Sequence, residues 1–144
     1  MEIIEKVIKV NRCTTVTKGG RKFSFSVIIV IGNRKGSIGY GFGKANEVVN
    51  AKQKAFNQAK KNMFRVNLKN ERTIFNKIIS KFCSSKVIIR PAPLGKGIIA
   101  GFTAKALFDV LGVKDIMVKS IDSNNPHNLI KAIILGLKNS NRIS

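Results

Sequence analysis

The run Ser37-Ile38-Gly39-Tyr40-Gly41-Phe42-Gly43 limits what this chain can fold into more than any other stretch. It reads as a strand. On a strand, Ile38, Tyr40 and Phe42 share one face, and Gly39, Gly41 and Gly43 leave the other without side chains. Another body can then press against that backbone. The residues are equally compatible with a closely packed helix and with the backbone of a bound RNA.

The flanks turn this strand into a module. Lys18-Gly19-Gly20-Arg21 is a turn signal, because two glycines supply the positive φ angles of a tight reversal. Phe23, Phe25, Val27, Ile29 and Ile31 then alternate with Ser24 and Ser26, which places the aromatic and branched side chains on one buried face. Gly32-Asn33-Arg34-Lys35-Gly36 closes a second hairpin. Beyond the glycine strand, Asn46 is placed to cap a helix that Glu47 and Val48 open and that runs to about Phe64. Val48, Ala51, Ala55, Ala59 and Met63 fall near one face of it, with Lys52, Lys54, Lys60 and Lys61 elsewhere. Lys18 to Ala55 is thus a ββα unit. Upstream, Ile4 to Thr17 is dense in β-branched residues and predicts a strand with Asn11 and Arg12 in its middle.

Val66 to Arg72 is polar and reads as a linker. Ile74 to Phe82 and Lys86 to Arg90 predict a strand pair across Cys83-Ser84-Ser85. Pro91 and Pro93 force a loop through Leu94-Gly95-Lys96-Gly97. Thr103 to Leu111 predicts a helix with Gly112 just past its end. Val113 to Ser120 predicts a strand with Ile116 and Val118 on one face. Asn125 is placed to cap a last helix with Pro126 at its first position. There, Leu129, Ile130, Ile133, Ile134 and Leu137 form one apolar stripe. The predicted fold class is α+β with two small domains, a β-β-β-α unit over 3–66 and a β-β-α-β-α unit over 73–144.

Charge narrows the function. Lys and Arg number 27 against 7 Asp and Glu, a net charge of +20. Such an excess implies a polyanionic partner. The cations divide almost evenly, 14 in residues 1–65 and 13 in residues 66–144, so they belong to foldable segments rather than to one basic tail. No apolar run reaches the ~20 residues of a spanning helix, and the first ten residues lack a secretory layout. No membrane partner is expected.

Catalytic chemistry finds no foothold. The acids are Glu2, Glu5, Glu47, Glu71, Asp109, Asp115 and Asp122, and no two are spaced for acid–base work. His127, after Pro126, reads as a surface or capping residue. Cys13 and Cys83 stand 70 positions apart without a CxxC, which predicts reduced thiols and no zinc site. Gly39-x-Gly41-x-Gly43 is not a dinucleotide fingerprint, and Gly95-x-Gly97 lacks the Gly-Lys-Ser/Thr ending of a P-loop. No catalytic residue, metal or cofactor is expected. Basic residues beside glycines do suit RNA contact, where charge and close backbone approach serve phosphate and ribose binding.

Several segments, in this order, resemble the bacterial-type small-subunit ribosomal protein S five family. They are Asn11-Arg12, Lys18-Gly19-Gly20-Arg21, Phe23-Ser24-Phe25, Gly39-Tyr40-Gly41-Phe42-Gly43-Lys44-Ala45, Pro91-Ala92, Gly97-Ile98-Ile99-Ala100-Gly101, Leu111-Gly112-Val113 and Ser123-Asn124-Asn125-Pro126 with Asn128. The resemblance covers nearly the whole chain. It implies a first domain like a double-stranded-RNA-binding domain and a second with the α/β fold named for the family. It also implies partners: small-subunit rRNA, small-subunit proteins four and eight, and mRNA nearby. Two departures stand out. Phe102 occupies a position where a small residue is expected, and the basic arm before the first strand is short, with little after the last helix.

The RNA-contact residues expected here are Asn11, Arg12, Lys18, Gly19, Gly20, Arg21, Lys22, Arg34, Lys35, Lys44, Lys52, Arg90 and Lys96. Gly97, Gly101, Phe102 and Lys105 match the segment that meets protein four. The expected function is that of a structural small-subunit protein. It would bind rRNA, aid assembly and contribute to the mRNA entrance region and to accuracy, in a bacterial or organellar ribosome. The alternatives are a free double-stranded-RNA-binding regulator and, by fold analogy alone, a small phosphoryl-transfer enzyme.

Overall fold

A computed structural model describes residues 3–66, 68–69, 72–83, 85–121 and 125–143. The first half forms β1 (Ile4–Thr17), β2 (Gly20–Gly32), β3 (Ser37–Ala45), α1 (Val48–Lys61) and the two-residue β4 (Phe64–Arg65). The second half forms β5 (Ile78–Phe82), β6 (Ser85–Pro91), β7 (Ile98–Ile99), α2 (Phe102–Leu111), β8 (Ile116–Ile121) and α3 (Pro126–Ile143). Each half builds one four-stranded sheet, ordered β1-β2-β3-β4 and β5-β6-β8-β7. The first is antiparallel throughout. In the second only β7 runs parallel to its neighbour, β8. This is the α+β, two-domain architecture expected from the sequence.

The bare face of β3 receives α1. A Cβ added at Gly39, Gly41 or Gly43 would overlap the carbonyl oxygen of Ala59, Ala55 or Ala51 respectively. Glycine on the strand meets alanine on the helix, one helical turn per two strand residues. The three alanines are fully buried with Val27, Ile29 and Ile31. Of the two bodies compatible with the glycine face, the helix is the one that occupies it.

The sequence pattern places one face of β2 in a core, whereas the structure buries both from Val27 to Gly32. Ile28 and Val30, on the second face, join Ile8 and Ile38 in one cluster with Leu107, Phe108 and Leu111 of α2 and Ile130, Ile133 and Leu137 of α3. The uninterrupted apolar run of β2 is the mark of a strand covered on both sides. The two domains therefore share a core. Phe23 departs from the expected buried face and is exposed, because β3 pairs with β2 only from Phe25 onward. Beyond that point, residues 13–17 and 20–24 continue as a two-stranded ribbon.

Turn geometry locks the halves together. Arg34 and Gly36 donate backbone N–H groups to the carbonyls of Val110 and Leu111 at 2.9 and 3.0 Å. The β2–β3 turn thus satisfies carbonyls that the end of α2 leaves open. Gly112, at φ 99°, ends α2 as expected, and a Cβ there would overlap the carbonyl of Arg34.

Some boundaries differ from the sequence reading. The N-cap position of α1 is Glu47, with extended backbone and no side-chain cap, rather than Asn46. That helix stops at Lys61, because Phe64 and Arg65 pair with Ile38 and Ser37 instead. Ile74 is buried in the core but precedes β5. At α3, Asn125 Oδ1 accepts the N–H of His127 at 3.1 Å, and Leu129, Ile130, Ile133, Ile134 and Leu137 are all buried. Ser84, Ser123 and Asn124 lie outside the described residues.

One buried ion pair fixes the loop after β6. Asp115 accepts the N–H of Gly97 at 2.8 Å and a guanidinium N–H of Arg72 at 3.0 Å. Arg72 also donates to the carbonyl of Ala92 at 3.0 Å. The Gly97 bond, then Arg72, hold the Asp115 carboxyl below its ordinary range.

Two outcomes are expected. Gly41→Ala should destabilise the protein by about 3 kcal/mol, since the added methyl meets backbone that has nowhere to go. Gly19→Ala meets nothing within 4 Å and should change stability by less than about 0.5 kcal/mol; urea unfolding compares them. A lowered folded-state pKa means the unfolded chain takes up this proton first. The Asp115 contribution is therefore complete above about pH 4 and lost as pH falls through the lowered value. Asp115→Asn should be less stable than the parent at pH 7 and lose less on acidification. Parallel acid-unfolding curves would contradict this role.

Candidate nucleic-acid interface

The ribbon carries a cluster of exposed cations. Its tip is closed by Thr17, whose hydroxyl donates to the carbonyl of Gly20 at 3.0 Å, with Gly20 at φ 127°. Lys18, Gly19, Gly20, Arg21 and Lys22 are all exposed. Register decides which way the cations face. Arg12 pairs with Phe25 and Arg21 with Val16, so Arg12, Arg21 and Phe23 share the face that continues the α1 side of the sheet. Lys22 takes the opposite face, with Lys18 at the tip between them. The Arg12 guanidinium lies 4.2 Å from the centre of the Phe23 ring. That contact shields the exposed ring and holds the guanidinium on the ribbon. Asn11 is half-buried at the ribbon's base, opposite Ser26.

A shallow groove adjoins the base of the ribbon, lined by Ser24, Lys44, Asn46, Asn50, Gln53 and Lys54. Lys54 reaches across to the carbonyl of Lys44 at 3.3 Å. Of these residues only Lys44 is among those expected at the interface. Asn50 and Gln53 carry no sequence signal, because polar residues on a helix look the same whether they border a groove or open water.

Two expected residues are tied to acids of the same chain. Lys52 lies 3.4 Å from Glu5, and Arg34 lies 3.7 Å from Asp109, which also binds Lys6. These pairs are exposed enough to be weak, but they orient both cations along the protein surface. Lys35 is exposed on the β2–β3 turn, where its N–H donates to Asn33 Oδ1 at 2.8 Å. Arg90 and Lys96 belong to the second domain, on β6 and on the following loop. The structure thus gathers Arg12 and the Lys18–Lys22 group on one ribbon and spreads the rest over other surfaces.

The second expected site is compact. Phe102 is 72% exposed at the start of α2. With Lys105, Ala106, Asp109, Ile98, Lys6 and Val7 it borders a groove between α2 and β1. Gly101, also exposed, opens α2 and accepts the Lys105 N–H at 2.9 Å. Gly97 sits at φ 75°, held by Asp115. Arg72 and Asp115, which set this loop, carry no sequence signal as partners because 43 positions separate them.

Tyr40 and Phe42 meet the His127 ring edge-on at 6.2 and 5.7 Å between centroids. Burial raises the Tyr40 phenol, and burial, then the Lys131 charge, lower the His127 imidazole. His127 is therefore a neutral packing and cap-adjacent residue at the junction of the domains. Among the described residues no group of acids, histidines and cysteines could hold a metal ion. No helix among the described residues is long and apolar enough to cross a membrane.

Comparison with known proteins agrees across the chain. The family model described as Ribosomal protein S5, N-terminal domain, matches residues 3–67, and that described as Ribosomal protein S5, C-terminal domain, matches residues 80–144. A small ribosomal subunit protein uS5 from Ehrlichia canis (strain Jake) is 52% identical over 134 residues, covering 93% of this chain and 77% of the relative. Proteins of the same description from Wolbachia pipientis wMel and Magnetococcus marinus are 51% and 48% identical, covering 92% and 96% of this chain and 78% of each relative. The chain belongs to the ribosomal protein S5 family, whose members are ribosomal structural proteins and not enzymes.

Proposed function

We propose that this chain is a structural constituent of the small ribosomal subunit that grips rRNA with its β1–β2 ribbon. The observation that carries the reading is the ribbon itself. Cations stand on both of its faces and at its tip, it carries no Asp or Glu, and it projects past the sheet edge. A narrow basic finger can follow the sugar–phosphate backbone without reading bases. Arg12, Lys18, Arg21 and Lys22 bind phosphate, Gly19 and Gly20 allow close approach, and Asn11 meets the backbone at the base. Lys35, Lys44 and Lys96 add contacts from other sides, with Arg34 and Lys52 exchanging their acid partners for phosphate.

Family membership supports the finer reading. The domain over 3–66 anchors on rRNA during subunit assembly. The domain over 73–144 meets small-subunit protein four through Gly97, Gly101, Phe102 and Lys105, with protein eight and the mRNA path close by. Through these contacts the protein contributes to the mRNA entrance region and to decoding accuracy on a bacterial or organellar ribosome.

Arg21→Glu combined with Lys22→Glu tests the grip. The variant should fold normally, since both side chains are exposed. Its affinity for small-subunit rRNA should fall at least tenfold, and the slope of log affinity against log salt should shrink by roughly one for each phosphate no longer bound. In cells it should be depleted from small subunits on sucrose gradients or raise misreading in a reporter. Normal incorporation with normal fidelity would remove the ribbon from the interface.

A further inference from the structure

Among residues 12–17 and 20–24, the guanidinium groups and the aromatic ring all lie on one face of the ribbon. Register puts Arg12, Arg21 and Phe23 on the α1 side. The opposite face carries Lys22 with Cys13 and Ser24. The two faces therefore differ in chemistry. A lysine is a compact point charge suited to phosphate, whereas a guanidinium also stacks on flat rings. The Arg12 guanidinium already lies over the Phe23 ring, and both side chains remain exposed, Phe23 by 41%.

At the base of this face lies the groove beside α1, with a volume of about 530 Å³. Ser24, which follows Phe23, is part of its wall. Asn46, Asn50 and Gln53 stand along it, four and three positions apart and so on one side of the helix and its lead-in. Among the described residues none of the three side chains has a hydrogen-bond partner. Asn46 does not cap α1, and asparagine is a poorer helix former than alanine at the position of Asn50. Helix formation accounts for neither. An amide both donates and accepts, as the edge of a base does. A continuous duplex keeps its ring faces stacked and its pairing edges occupied. Bases splay out at bulges, loops and ends, where they stack on aromatic rings or guanidinium planes and are read along their edges. An acidic protein segment would need only the lysines and would leave rings and amides without a role.

We propose that the α1-side face of the ribbon and this groove together seat an unpaired nucleotide of the bound RNA. Its base stacks on the Arg12–Phe23 pair, and the amides of Asn46, Asn50 and Gln53 hold its edge. Arg21 and Lys54 hold the flanking phosphates. The inference rests on the ribbon's grip on RNA and adds the class of RNA gripped, a duplex interrupted by an unpaired base.

The test uses the full chain and two probes. One is an RNA duplex of about 16 base pairs; the other is the same duplex with a single unpaired adenosine at its centre. The bulged probe should bind about tenfold more tightly. Phe23→Leu combined with Asn50→Ala and Gln53→Ala should remove that preference and leave affinity for the perfect duplex unchanged. Phe23→Tyr alone should retain the preference, because a ring still stacks. All three side chains are exposed, and thermal melts check that the variants fold. A preference that survives the triple change, or equal affinity of the parent for both probes, would overturn the proposal and leave the ribbon's grip standing. Failure of the parent to bind either probe would defeat the ribbon reading and this inference with it. Adenosine monophosphate at equal concentration should not displace the bulged probe; displacement would assign the groove to a free nucleotide and overturn the proposal.

In small subunits, p-benzoylphenylalanine replacing Asn50 should cross-link on illumination to an rRNA nucleotide outside any base pair. A cross-link to a continuous helix, or to another protein, counts against the proposal.

Discussion

Burial of β2 on both faces is the constraint on which everything else in the molecule depends. A strand with Val27, Ile29 and Ile31 on one side and Ile28 and Val30 on the other must be covered twice. The chain supplies the two covers by different means. On one side the helix comes close, because glycine on β3 faces alanine on α1 and the backbones nearly touch. On the other side α2 of the second domain supplies bulk, with Phe108 and Leu107 fully buried, and α3 packs beside it against the second sheet. β2 thus has thin cover on one side and thick cover on the other, with the second sheet beyond the thick side.

That arrangement explains why the β2–β3 turn is more than a connection. Its N–H groups complete the end of α2, and Gly112 yields space to the Arg34 carbonyl. Unsatisfied carbonyls at a buried helix end are destabilising, so the turn and the helix constrain each other. Asp109 adds Lys6 of β1 and Arg34 to the same junction. The ribbon extends from the strands clamped here. Its cations are mounted on a shared core rather than on a hinge between two independent domains, and a basic finger on a rigid mount loses less freedom on binding.

How much of this the residues disclose depends on the range of the interaction. Local signals carry through: the Lys18–Arg21 turn, though only Gly20 and not Gly19 takes the positive φ expected of both, the Gly112 helix stop, the Asn125-Pro126 start and the Leu129-to-Leu137 stripe stand where short-range rules place them. The glycine face of β3 is legible as a close-approach surface, but not its occupant, since backbone tolerance is the same for helix and RNA. The exposure of Phe23 follows from where β3 ends, which the alternating pattern of β2 does not contain. β4 and β7 are two-residue strands made only by tertiary pairing. Arg72 with Asp115, like Lys6 with Asp109, joins residues far apart in sequence, where periodicity has nothing to say.

The few acids complete the physical logic. Among the described residues, Glu5, Asp109 and Asp115 each hold a cation of the same chain, and each joins two different parts of the fold. Carboxylates are thus used inside the architecture: Glu5 ties β1 to α1, Asp109 ties α2 to β1 and the turn, and Asp115 ties the Gly97 loop to Arg72. The other cations are left facing outward with few acids to answer them. At a net charge of +20 such a surface repels itself, which weakens the compact state in isolation and favours it against a polyanion. A chain whose few acids are turned toward its own cations, with the remaining cations surplus, would be stabilised by the polyanion contact proposed for it.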